Sequence, residues 1–299
     1  MKIKITLFVS SILFILLFSA CNSAQQTGEK SNNSSGSAYI QNKGSDTIVN
    51  LALAWAEEYQ AIYPDIRISV SGGGSGTGLS SLVNGTVDIA NASRAIKAEE
   101  IELAEEAGFT PVEFVIARDA IGIIVNHSNP INNLTLEQIS MIYKGEIKNW
   151  EELGGNDQPI VRLSRETNSG THVYFLESVV RLGSKEDKSI FYPETLLLPS
   201  SQGIIAEVRD NPNAIGYDGL GYITSEVKII AVGESPAGPF IKPSVATVLD
   251  DTYLISRDLY MYTRDVPQGN LKDYLDWVYS PEAQQIVNDL GFVPLENLP

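Results

Sequence analysis

Cysteine and histidine are almost missing from this chain: Cys21 is its single cysteine, and His127 and His172 are its two histidines. One cysteine excludes an intrachain disulfide framework, and so sparse a set of ligands does not make a Cys/His zinc cage within one chain. Positive charge is short too, with 21 Lys plus Arg against 37 Asp plus Glu, a formal balance of −16. That balance opposes attraction to a phosphate backbone and argues against DNA or RNA as a partner. The chemistry has to come from hydroxyls, amides, carboxylates and a few arginines, with no metal and no cofactor. Apolar material is plentiful: 43% of the 299 residues are hydrophobic and 19% charged, which suits about two domains with real cores and does not resemble disorder.

Residues 1–20 stand apart. Lys2 and Lys4 precede an apolar stretch through Phe18, and Ser19 and Ala20 lead straight to Cys21. Three such regions spell a secretory signal, and the run is short for a membrane span. The segment Leu17-Phe18-Ser19-Ala20-Cys21 resembles a bacterial lipoprotein processing site, with Phe18 where leucine is usual. The resemblance implies a lipid (palmitate) anchor on Cys21 and a place on the extracytoplasmic face of the cell membrane. Cleavage removes two lysines and no acids, which takes the formal charge from −16 to −18. Residues 22–37 are polar and rich in Gly and Ser, the composition of a flexible tether.

Beyond the tether, β-branched runs alternate with helical patterns, so the class is α/β. Asp65 to Ser71 alternates with Ile66, Ile68 and Val70 on one face, and Ala120 to Asn126 is a nearly continuous apolar strand. Leu51, Trp55, Tyr59 and Ile62 recur at helical spacing after Thr47, with Pro64 closing the segment. A second helix is expected over 134–143 with Thr135 as its cap, and a third from Ser169 through Val180.

The helix starts are the informative part. Gly44-Ser45-Asp46-Thr47, Gly72 to Gly78 (GGGSGTG) and Asn168-Ser169-Gly170-Thr171 each open a helix with small, hydroxyl-bearing residues. Helix N-termini offer unpaired N–H groups and partial positive charge, and Ser or Thr hydroxyls add donors. Singly, such residues are ordinary caps and turns; converged, they would hold an oxyanion. Arg165, four residues before Ser169, is placed to turn its guanidinium toward the same point for a bidentate contact.

Other chemistries fit less well. The glycine run lacks the Gly-Lys-Ser/Thr ending of a P-loop, and no acid follows it as a dinucleotide fingerprint requires. His172 lies beside hydroxyls, but no G-x-S-x-G elbow is present. The acidic run Glu99 to Glu106 reads as a solvated helix face around Ile101, Leu103 and Ala104, not as a cation site.

Taken together, Gly44 to Thr47, Gly74 to Gly78, Val87-Asp88-Ile89 through Ala92-Ser93-Arg94, Leu134 to Gly155, Arg165 to Thr171 and Ala214 to Tyr222 resemble, in that order, the phosphate-binding lipoproteins of bacterial phosphate ABC importers. The resemblance spans 39–299. It implies a periplasmic-binding-protein type II fold: two α/β lobes joined by two crossing segments, here 120–126 and 253–262, with lobe one at 38–123 plus 256–299 and lobe two at 124–255. It implies capture of inorganic phosphate between the lobes, delivery to permease and ATPase subunits, a monomer, and no enzymatic activity. Matched position by position, the phosphate ligands are Ser45, Asp46 and Thr47, Ser75, Ser93, Arg165, and Ser169, Gly170 and Thr171. Some members carry a proton-accepting aspartate where this chain has Arg94. The acceptor role then passes to Asp46, with Asp88 as the alternative. Sulfate, molybdate or tungstate binding is the nearest rival function, and an exported phosphate-ester hydrolase a more distant one.

Overall fold

The computed structural model describes residues 38–296. Cys21, the leader and the tether lie outside the described residues.

The first stretch is a β-α-β-α-β run: β1 (Ala38–Gly44), α1 (Asp46–Ile62), β2 (Ile66–Ser71), α2 (Ser75–Val83) and β3 (Ile89–Ala92), followed by α3 (Ala98–Glu106). β1 pairs in parallel with β2 on one side and β3 on the other, as short helical crossovers require. β4 (Val112–Val125) is 14 residues long and leads into a second set. That set contains β5 (Asn133–Thr135), α4 (Leu136–Lys144), β6 (Val161–Arg165) and α5 (Gly170–Phe175), the last continuing as a π-helical turn to Val180. It goes on with β7 (Leu196–Leu198), α6 (Ser201–Asp210), β8 (Ala214–Gly219), β9 (Lys228–Gly233), β10 (Phe240–Ile241) and α7 (Val245–Leu249). β11 (Ser256–Thr263), α8 (Gly269–Val278) and α9 (Pro281–Asp289) return to the first set.

β4 joins the two sets through its pairing. Residues 112–120 run antiparallel to β11, which completes the order β2-β1-β3-β11-β4, and residues 121–125 lie between β8 and β9. Its sequence explains the change. Ala120 to Val125 is apolar and fully buried between layers, whereas Glu113 is exposed in the leading half. The strand begins at Val112, well before the apolar run that marked it in the sequence, because Arg118 and Asp119 interrupt the pattern there.

Each half has its own core. Ile48, Leu51, Trp55 and Tyr59 of α1 pack with Met261 of β11 and with Tyr274 and Val287 of α8 and α9. Tyr143 of α4, Phe175 of α5 and Tyr217 of β8 pack with Ile121 and Ile123 in the other half. Side chains of this size contribute about 1.5–3 kcal/mol each when fully buried. The Trp55 indole N–H is satisfied by the Ala283 carbonyl at 2.8 Å. Thr135 caps α4 as expected, in a reciprocal box with Gln138. The acidic helix α3 departs from expectation: Leu103 is exposed and Ala104 alone is buried, so the apolar stripe is narrower than the sequence suggested. α3 is instead anchored by a two-pronged ion pair between Arg94 and Glu100, both bonds 2.7 Å. No helix among the described residues is long and apolar enough to cross a membrane.

Candidate functional site

Three helix starts meet where the two halves touch. Ser45 is the N-cap of α1, Gly74 of α2 and Ser169 of α5. Gly74 holds φ +88°, a left-handed backbone that glycine adopts without strain, and a Cβ there would lie 2.8 Å from the Asn168 carbonyl. That close approach lets the two loops tie together: Gly76 N–H donates to Asn168 O at 3.0 Å, and the Asn168 amide donates to Gly73 O at 2.9 Å.

Inside this junction the hydroxyls form one buried cluster. Ser45 Oγ donates to Ser93 Oγ at 2.9 Å, and Ser75 Oγ accepts from the Ser93 backbone N–H at 3.0 Å and lies 3.4 Å from Ser93 Oγ. Thr47 Oγ1 and Thr171 Oγ1 are 2.8 Å apart across the junction. Gly170 faces Ser75 and Ser93 so closely that a Cβ would lie 2.3 Å and 2.6 Å from their hydroxyl oxygens. The structure therefore brings Ser45, Thr47, Ser75, Ser93, Gly170 and Thr171 to one place. Ser169 accepts from Thr171 N–H at 3.2 Å, and Asp46, next to Thr47 in the chain, pairs with Arg165.

Arg165 ends β6 with its side chain 1% exposed. Its Nε donates to Leu198 O, Nη1 to Ser201 Oγ, and Nη2 to both Pro199 O and Asp46 Oδ2, the last at 2.6 Å. Of the five guanidinium N–H groups a single one, on Nη1, is left over. The fork expected to grip an oxyanion is thus largely engaged by the protein. Asp46 is no simple cap: Oδ2 pairs with Arg165 across the halves, and Oδ1 accepts from Gly73 N–H at 3.0 Å. The Tyr222 hydroxyl reaches the Asp46 carbonyl from the other half at 2.6 Å.

A second arginine, overlooked in the sequence, is more central. Arg257 of β11 donates from Nη1 to Ser93 O at 2.8 Å and from Nη2 to Thr171 Oγ1 and Asp119 Oδ2, both 3.0 Å, with Thr47 Oγ1 at 3.4 Å. Asp119 of β4 is fully buried, and its Oδ1 accepts from Leu220 N–H. Burial pushes its carboxyl above the usual range while the Arg257 ion pair pulls the other way. The signal was present: Arg257 and Asp119 are charges set within apolar strands, where an unpaired charge is rarely tolerated.

Other candidates lie elsewhere. Asp88 sits at the head of β3, where its carboxylate takes the Gln41 backbone N–H at 2.8 Å, so it braces β1 against β3 and does not join the cluster. Arg94 follows Ser93 but turns to Glu100. His172 is packed inside, with Nδ1 near Arg165 O (2.8 Å) and Ser164 Oγ (3.0 Å), and burial lowers its pKa. Among the described residues no group of three His, Cys, Asp or Glu is gathered to hold a metal. What the junction offers is a dense set of hydroxyl and N–H donors with two buried guanidinium groups, suited to a small tetrahedral oxyanion.

Comparison with known proteins agrees with this geometry. Residues 29–282 match the PBP superfamily domain. The chain is 33% identical over 276 residues to the phosphate-binding protein PstS of Pseudomonas aeruginosa, covering 87% of this chain and 84% of the relative. It is 31% identical to the PstS protein of Bacillus subtilis, covering 99% of this chain and 96% of the relative. The crystal structure of a phosphate ABC transporter substrate-binding protein of Clostridium perfringens with bound phosphate superposes with a TM-score of 0.76 at 32% identity, over 86% of this chain and 100% of that one. The chain belongs to the PBP superfamily and, within it, to the family of the PstS proteins.

Proposed function

We propose that this protein captures inorganic phosphate at the junction of its two halves and passes it to the permease and ATPase subunits of an ABC importer. One observation carries the reading: hydroxyls from three separate helix starts are buried with Arg257 where the halves meet, and Arg165 is tied to the first of those starts through Asp46. The relatives named for phosphate binding and the phosphate-bound structural neighbour support the same anion.

The ligand set is Ser45, Asp46, Thr47, Ser75, Ser93, Arg165, Ser169, Gly170 and Thr171, joined by Arg257. Lobe one comprises 38–123 and 256–299, lobe two 124–255, and closure of one on the other removes water from the anion and strengthens every charge-assisted bond to it. Because the protein is acidic overall, selection depends on these local dipoles and not on the net field. The chain works as a monomer without catalysis: among the described residues His172 is engaged by Arg165 O and Ser164, away from the hydroxyls of the ligand set. Cys21 carries a lipid anchor that keeps the protein on the extracytoplasmic face.

Isothermal titration with phosphate, sulfate and molybdate tests the reading. Phosphate is expected to bind with clear preference; tighter binding of either rival anion reassigns the site, and turnover of a phosphomonoester would restore the hydrolase.

A further inference from the structure

Asp218 of β8 is a buried acid that has no place in the ligand set. It is completely buried. Its Oδ1 accepts from the Ser201 hydroxyl at 2.9 Å and from the Gly219 N–H at 2.8 Å, and its Oδ2 has no hydrogen-bond partner among the described residues. Ser201 in turn accepts from Arg165 Nη1 at 2.9 Å, and Arg165 holds Asp46. An unbroken chain thus runs Asp46, Arg165, Ser201, Asp218. A buried carboxylate oxygen without a donor is costly while ionised, and a proton removes that cost.

The surrounding charges favour the proton as well. Arg165 faces Asp218 from β6. Asp119 faces it from β4, so close to the next residue that a Cβ on Gly219 would lie 2.7 Å from Asp119 Oδ2. α6 presents Ser201, while its charged residues Glu207, Arg209 and Asp210 lie at the far end of the helix. On the same strand, Tyr217 is turned to Ser164 at 2.6 Å, and beyond it Tyr222 is turned to the Asp46 carbonyl. Arg257 of β11 is matched by Asp119. Two guanidinium groups therefore stand against three carboxylates, Asp46, Asp119 and Asp218. An arriving phosphate dianion meets a junction that is already negative when all three are ionised.

We propose that Asp218 takes up a proton from solvent when phosphate binds, so that anion capture at Arg165 is coupled through Ser201 to proton uptake. This rests on the phosphate-capture reading. The proton lands on Oδ2, and no other bond is made or broken. A cavity of about 140 Å³ lined by Asp46, Ser201 and Tyr222 borders this chain of bonds. Burial, opposed by Arg165, already lifts the Asp218 carboxyl from 3.8 to about 6 in the protein. An anion that shares the Arg165 charge raises it further, carrying it across neutral pH. Asp218 acts as a positioning residue, adjusting the arginine that meets the anion.

The test is titration of the whole chain with inorganic phosphate in buffers of differing ionisation enthalpy from pH 6 to 8.5, for wild type and Asp218→Asn. Phosphate's own titration is common to both, so the difference between them isolates Asp218. Wild type is expected to take up close to one more proton per phosphate near pH 7.5, and to lose affinity above pH 7 more steeply than Asp218→Asn, by up to about tenfold per pH unit. Equal proton counts with parallel pH profiles, while both proteins bind phosphate, overturn the proposal. Wild type that binds no phosphate overturns the phosphate reading first, and the coupling with it. Should Asp218→Asn fail to fold, Ser201→Ala keeps the acid but removes its hydroxyl donor. The steep part of the pH profile is then expected at higher pH, and an unmoved profile overturns the coupling.

Discussion

Arg257 Nη2 donates to the buried carboxylate of Asp119 and to the hydroxyl of Thr171, each at 3.0 Å. An arginine only donates, so Thr171 must accept, and its own proton is turned toward Thr47 or toward a ligand. Arg257 therefore sets which way the hydroxyls point, in addition to supplying charge. Arg257→Lys keeps the charge that Asp119 needs but loses the planar fork. The loss of charge-assisted bonds, about 1.5–3 kcal/mol, predicts phosphate affinity down by about 10- to 150-fold with folding retained. Titration calorimetry and thermal melting measure the two; unchanged affinity would mean that Arg257 only braces the sheet.

Gly170 is a steric requirement of the junction. With Ser75 Oγ and Ser93 Oγ 2.3 Å and 2.6 Å from where a Cβ would stand, alanine forces the halves apart or the hydroxyls aside. Overpacking of this kind costs about 1–3 kcal/mol, which predicts phosphate binding weaker by about 5- to 150-fold. Because the strain arises only when the halves are together, the melting temperature without phosphate should change less than the affinity does. A Gly170→Ala protein that binds as tightly as wild type removes Gly170 from the site.

Local rules made much of this legible in the sequence. Hydroxyl-bearing residues before helical periodicity marked the starts of α1 and α5, and Thr135 was expected as the cap of α4. The hydroxyls of Ser45, Thr47, Ser75, Ser93 and Thr171 gather because their motifs lie at element ends that one sheet order brings together. What could not be read was long-range pairing. Arg257 and Asp119 are 138 positions apart and meet only because β11 runs antiparallel to β4. Arg165 looked free because nothing local shows that Asp46, Ser201 and two carbonyls would surround it. Asp88 looked like an alternative acid because its task, holding the Gln41 N–H, depends on strand register.

Asp218 should leave a mark on stability without any ligand. Its folded pKa, about 6, exceeds the unfolded value of 3.8, so between those pH values the folded state binds the proton and the unfolded state does not. Stability from this group is then full at the acid end and lost as pH rises through about 6, a change on the order of 3 kcal/mol. Asp218→Asn should flatten that fall, so its stability relative to wild type grows from pH 4 to pH 8; Asp119, raised in the same sense, leaves some slope in both proteins. Denaturant unfolding at a series of pH values measures the difference, and a constant difference would place the Asp218 pKa near its ordinary value.

Cys21 offers a test that is independent of the binding site. If it carries the anchor, Cys21→Ser is expected to move the protein from membrane to soluble fractions and to abolish labelling by a fatty-acid probe, while phosphate affinity stays at the wild-type value. Persistent membrane retention with no label would mean that the leader itself, and not a lipid, holds the chain.

Asp46 bears on how phosphate is told from sulfate. Near pH 7 phosphate keeps a proton and sulfate has none, so only phosphate can donate to a carboxylate. Asp46 is 22% exposed at its side chain, and each oxygen, although already accepting from Arg165 or Gly73, has a second lone pair. It can therefore receive a phosphate hydroxyl without giving up its arginine. Sulfate brings a dianion with no proton to share against the same carboxylate, and sites built to receive a ligand hydroxyl reject analogues lacking it by up to roughly 10⁴-fold. Asp46→Asn replaces an obligate acceptor by a group that can also donate, and it weakens the tie to Arg165. Phosphate affinity should fall, sulfate affinity should fall less or rise, and their ratio should drop by at least about tenfold. Competitive titration of both anions near pH 7 against wild type and Asp46→Asn measures that ratio. If both anions weaken in step, Asp46 serves only as the ion pair that holds the two halves together, and the discriminating carboxylate must be sought deeper, at Asp119 or Asp218.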